Sequence, residues 1–183
     1  MKKLALLLPM ASLLALAACE TTEGPPPPMR HAPAHRPPAP GAAARYDEAD
    51  FTWSSQGGEN AVTGRVAYRS KAAGGYSCAG GSVALTPEAP FSAARTMRLY
   101  GSVQHAVTSP ETVRARSAED GAPPYASFVR SATCDAEGVF RFTDLPDGGW
   151  FLITRASPKK GEPLVFMQRI ETRGGRSIKV ELY

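Results

Sequence analysis

Residues 133–154, TCDAEGVFRFTDLPDGGWFLIT, leave the chain few choices. The stretch predicts two antiparallel strands, each introduced by a turn. Asp135-Ala136-Glu137-Gly138 predicts the first turn, with Gly138 free to take a positive φ. Phe140 and Phe142 then alternate with Val139, Arg141 and Thr143, the period of a half-buried strand. Leu145-Pro146-Asp147-Gly148-Gly149 predicts a second turn, and the apolar block 150–153 returns as the next strand.

The flanking sequence continues in the same style. An aromatic entry over 46–55 reads as extended, with Phe51 and Trp53 on one side. Residues 62–69 predict a strand with Val62, Val66 and Tyr68 on one side and Thr63, Arg65 and Arg69 on the other. A loop over 71–75 precedes a strand at 82–87, with Val83 and Leu85 inward. Residues 92–100 read as a helix, capped by Ser92 and stopped by Gly101. Short strands are expected at 103–107 and 112–116, split by Ser109-Pro110, and a turn at 121–124. Residues 164–173 and 177–182 predict a final hairpin across Gly174-Gly175. Short strands, frequent turns and little helix give a mainly β fold: an antiparallel β-sandwich of about seven strands with one short inserted helix, over residues 46–183.

Five segments occur in an order that resembles the carboxypeptidase regulatory-like domain: Gly64-Arg65-Val66, Gly81-Ser82-Val83-Ala84-Leu85, residues 135–140, Leu145-Pro146-Asp147-Gly148 and Trp150-Phe151-Leu152. The resemblance implies a small sandwich of the Ig-like or prealbumin-like kind. Trp150 stands where that pattern usually has a tyrosine, and the insertion over about 91–124 is longer than in its simplest form. The carboxypeptidases that lend the domain its name keep their zinc site elsewhere, so no metal or cofactor is implied here.

The first residues carry an address. Met1-Lys2-Lys3 is basic, and 4–16 is an apolar run too short to span a bilayer as a helix. It ends in Leu16-Ala17-Ala18-Cys19, which resembles the bacterial lipoprotein cleavage box. That likeness implies a signal peptide over 1–18 and a diacylglyceryl (palmitate-type) group on Cys19. Two or more acyl chains anchor stably where one does not. The same likeness implies the periplasmic face of the outer membrane rather than the inner membrane, because Glu20 stands where that family carries aspartate for inner-membrane retention. An ordinary secretory leader with a coincidental cysteine is the alternative.

Residues 19–45 read as a disordered tether. Eight of the 17 prolines fall in 24–44. At ~3.1 Å per residue a polyproline II segment of that length reaches roughly 65 Å. His31 and His35 have the spacing of a helical metal pair, but the surrounding prolines forbid the helix. Without Lys2 and Lys3, 19 basic side chains face 17 acidic ones. That balance gives no footing for nucleic-acid binding, which wants a clustered basic face.

Once Cys19 is set aside, Cys78 and Cys134 form an even pair in an exported chain, and a disulfide between them is expected; two free thiols are the alternative. No nucleophile elbow, phosphate-cradling loop or metal-ligand set is present in the sequence, and His105 is the one histidine of the folded region. If Trp150 and Leu152 face the core, Phe151 and Ile153 face outward. They then form either a partner surface or the bed of the 92–100 helix, through Met97 and Tyr100. The expected function is a non-enzymatic, membrane-anchored periplasmic module that contacts another envelope protein or a glycan. An accessory subunit of an envelope transport or assembly complex is the alternative, and a hydrolase with an unrecognised site is a weaker one.

Overall fold

The computed structural model describes residues 44–118 and 121–183. The expected signal peptide, Cys19 and nearly all of the expected tether lie outside the described residues. Two 3-10 turns, Glu48–Asp50 and Thr52–Ser55, open the domain. Ten strands follow in chain order: β1 Asn60–Val66, β2 Arg69–Ser70, β3 Gly74–Ser77, β4 Ser82–Pro87, β5 His105–Thr108, β6 Arg130–Thr133, β7 Val139–Leu145, β8 Gly148–Pro158, β9 Leu164–Thr172 and β10 Ser177–Leu182. Helix α1 spans Pro90–Tyr100 and α2 spans Pro110–Ser117.

The strands form a mainly β sandwich, as expected. The smaller sheet has the order β10-β1-β7. In the larger one, β8 lies at the centre between β4 and β9, with β6 beyond β4 and β5 beyond β9; the β2–β3 pair meets the far end of β8. Alternation sets the core. Val62, Phe140, Phe142, Val180 and Leu182 of the small sheet meet Val83, Leu85, Trp150, Leu152, Phe166 and Ile170 of the large one, all buried. Gly64 sits at the tightest point. A Cβ there would collide with the Phe140 ring, so the absence of a side chain at this point of β1 is what admits the phenylalanine.

Two expected hairpins are not hairpins. β7 pairs with β1, whereas β8 pairs with β4 and β9, so 145–148 carries the chain from one sheet to the other. Gly174 and Gly175, both at φ +66°, likewise take the chain out of the large sheet. β10 then pairs with β1 in parallel, a departure from a wholly antiparallel sandwich. A polar clasp ties these two crossings together. The buried Asn60 amide donates to Leu145 O (3.0 Å) and Asp147 Oδ1 (2.8 Å), and its carbonyl accepts from Arg176 N. Asp147 Oδ1 also accepts from Gly174 N. Thr172 Oγ1 accepts from Trp150 Nε1 and donates to Pro146 O.

Three local readings change as well. Residues 112–116 are helical rather than extended: Pro110 holds the first helical position and the Ser109 hydroxyl accepts from Thr112 N, so α2 is the second helix where one was expected. α1 begins two residues earlier than expected. Ser92 is not its N-cap but lies in the first turn, accepting from Ala89 N and donating to Pro87 O. Phe51, between the two 3-10 turns, and Trp53, in the second, do not dock from a strand. Phe51 is buried against Ala89 and Tyr125, while Trp53 packs edge-on to Trp150. Arg130 pins this entry segment by donating to Ser54 O, Gln56 O and Asp144 O.

α1 covers the outer face of the large sheet, where Ala93 and Tyr100 pack with Phe151, Ile153 and Met167. Burial pushes the Tyr100 phenol up to about 12, helped by the neighbouring Tyr125 and opposed by Arg95. The folded state therefore holds this proton more tightly than the unfolded chain, whose phenol titrates near 10. The associated stability is complete below pH 10 and is lost as pH rises through 12. Urea unfolding at stepped alkaline pH should show a loss of about 3 kcal/mol from this group. Tyr100→Phe should remove that part of the slope; an unchanged slope would refute the assignment.

Candidate functional site

β7 begins at Val139, opposite Arg65, so β1 has no β7 partner beyond that row. The chain instead turns towards β3, where Tyr76 N donates to Tyr68 O and Arg69 pairs with Gly75. A cleft of about 290 Å³ opens between these walls and the 135–138 turn. Arg65, Tyr68 and Arg69 form one wall, Tyr76 and Ser77 a second, and Glu137 and Gly138 the third.

Each wall is held from behind. The Tyr68 ring rests on Tyr76 (5.3 Å between centroids) and on Phe166 (5.5 Å). The Tyr76 hydroxyl donates to Glu162 O. Arg65 is oriented by Glu181 across the parallel pair, Nη2 to Oε1 at 2.7 Å. Asp135 Oδ1 accepts from Glu137 N and Val139 N, which sets the turn. Cys78 follows Ser77 and Cys134 precedes Asp135, and the expected disulfide joins them with Cα atoms 5.8 Å apart. The bridge thus links the second wall of the cleft to the third.

The other residues singled out by their pattern fall elsewhere. Phe151 is fully buried and Ile153 half-buried beneath α1, so the partner-surface reading of this pair is corrected. The helix was expected to cover them through Met97 and Tyr100; Tyr100 does so, whereas Met97 is 48% exposed. Among the described residues no group of three His, Cys, Asp or Glu side chains could hold a metal ion. His105 lies on β5 beside Tyr183, outside the lining of the cleft.

The cleft itself was not anticipated. Its one sequence signal is the outward parity of Arg65 and Arg69, since 71–75 reads only as a loop and 135–138 only as a turn. Chemically, it offers guanidinium donors, a carboxylate, a hydroxyl and an aromatic edge. That set suits a ligand rich in hydroxyl groups. The Ser77 hydroxyl accepts from Ala79 N at 3.1 Å.

No protein-family model matches the chain, and no curated protein does. A crystal structure from Pseudomonas aeruginosa, of a protein provisionally assigned as carbohydrate binding, is similar over 77% of this chain and 99% of its own, with a TM-score of 0.56 and 21% identity. That likeness supports the sandwich fold. A DUF3823 family protein from Bacteroides ovatus is similar over 67% of this chain and 43% of its own, at a TM-score of 0.28 and 12% identity, too distant to bear on fold or function.

Proposed function

We propose that this chain is a non-catalytic carbohydrate-binding module of the carboxypeptidase regulatory-like type, held at the periplasmic face of the outer membrane by acyl chains on Cys19. The observation that carries the binding role is the convergence of Arg65, Arg69, Ser77, Glu137 and the supported Tyr68 on one cleft. Planar guanidinium and carboxylate groups make paired hydrogen bonds to vicinal hydroxyls, and an aromatic ring offers a face or edge to sugar C–H groups. The provisional assignment of the P. aeruginosa protein agrees with that chemistry. The anchor rests on the Leu16-Ala17-Ala18-Cys19 box.

Two measurements test the proposal. The full-length chain in detergent, screened against a panel of neutral and acidic oligosaccharides, should bind at least one of them. Arg69→Ala with Glu137→Ala, both on exposed side chains, should weaken that binding by roughly 10-fold or more, as expected for loss of two charge-assisted contacts. Unchanged affinity would rule the cleft out. Mass spectrometry of the N-terminal peptide should find an acylated Cys19; an unmodified or uncleaved residue would end the lipoprotein reading.

A further inference from the structure

The outward face of the small sheet has a charge pattern that the cleft alone does not explain. In β10-β1-β7 register, Lys179, Thr63 and Arg141 form one row across the three strands; Glu181, Arg65 and Val139 form the next. Lys179, Arg141, Arg65 and Glu181 are exposed, and Thr63 and Val139 half-buried. No helix among the described residues lies on this face as α1 lies on the other sheet. Within the same residues Arg65 is the one cation of the face with an ion pair, to Glu181. Lys179 and Arg141 have no side-chain hydrogen bond or ion pair there, and neither does Arg69 in the cleft.

The face and the cleft are continuous, because Arg65 belongs to both. Along this path stand four cations, Arg65, Arg69, Arg141 and Lys179, and two anions, Glu137 and Glu181. Strands lie ~4.8 Å apart, so the backbones carrying Lys179 and Arg141 are about 10 Å apart, flanking Thr63. Four cations against two anions, with Arg69, Arg141 and Lys179 unpaired among the described residues, set up a positive potential that favours an anionic chain over a neutral one.

Resting on the carbohydrate reading above, we infer that the ligand is an acidic polysaccharide carrying carboxylates. Its chain crosses the small sheet over Thr63, with carboxylates on Lys179 and Arg141, and enters the cleft past Arg65. An extended glycan suits an open three-stranded face, and its repeated carboxylates match cations set one strand either side of a hydroxyl. The Arg141 guanidinium takes carboxylate in bidentate geometry, whereas the Arg65 fork is already held by Glu181.

The test uses the full-length chain in detergent and two probes of equal length, an oligogalacturonate hexamer and the neutral maltohexaose. The acidic hexamer should bind roughly 10-fold more tightly at low salt, and the advantage should shrink as ionic strength rises. The double substitution Arg141→Ala with Lys179→Ala should remove that advantage, leaving maltohexaose affinity and the melting temperature unchanged. Equal affinity for the two hexamers, or indifference to the double substitution, overturns this inference and leaves the cleft reading standing. Failure of both hexamers, with no binding anywhere on the oligosaccharide panel, overturns both. Phosphatidylglycerol vesicles bound through Arg141 and Lys179, with no oligogalacturonate binding, also overturn it, since the face would then serve a membrane.

Discussion

Cys78→Ala with Cys134→Ala should lower the stability of the folded domain by about 4 kcal/mol, the chain-entropy value for a loop of this length. The two cysteines are 56 residues apart in sequence. Both are 2% exposed, so the bridge belongs to the core and its alanine replacements also lose some packing. For a domain of this size the loss corresponds to a fall in melting temperature of roughly 10–20 °C. Calorimetry of the wild type and the double variant checks it, and a fall of only a degree or two would show that the unfolded chain stays compact around this loop even without the bridge. The bridge also spans two walls of the cleft, so under the proposed binding role oligosaccharide affinity should fall in the variant even well below its melting temperature. Walls that must be ordered on binding weaken it.

Trp150→Ala should be the costliest single core substitution, at about 3–5 kcal/mol. Its indole is fully buried between the sheets, 4.8 Å from Trp53 and 5.8 Å from the Arg130 guanidinium. Nε1 donates to Thr172 Oγ1 at 3.0 Å. Removing it therefore opens a cavity and releases three supports at once: the entry turn, the arginine that pins it and the clasp at the sheet crossings. Trp150→Phe keeps most of the volume but not the hydrogen bond, and should cost clearly less. Urea unfolding of both variants decides; equal losses would mean that the hydrogen bond, not the packing, dominates. Trp53→Ala should be less than additive with Trp150→Ala, because the two rings share one contact.

Strand positions and faces were readable because period-two alternation is a local signal. Phe140 and Phe142, Val83 and Leu85, and Val180 and Leu182 all point inward as their spacing requires. Which strand lies beside which was not readable. Gly174-Gly175 and Leu145-Pro146-Asp147-Gly148 have the residues of a hairpin turn, yet each carries the chain between sheets. The difference lies in Asn60, far from both in sequence, whose side chain holds both crossings. The second helix was legible in principle: Ser109-Pro110-Glu111 is a helix start, although the β-branched pair Thr112-Val113 that follows also suits a strand. The cleft was illegible for a different reason. Its walls come from β1, β2, β3 and the 135–138 turn, and the sequence does not place these together until the disulfide and the β2–β3 pair are known.

The parallel pairing of β10 with β1 has an outcome for how the domain comes into being. β1 finds its two neighbours in residues 139–145 and 177–182, so the smaller layer cannot close while the final strand is still being delivered. Until then Val62 and the Phe140 ring have no finished wall behind them. A chain synthesised from its leading end would thus wait, half-assembled and greasy, for β10 to arrive. Losing only those 6 strand residues should leave an aggregation-prone product rather than a slightly weakened one.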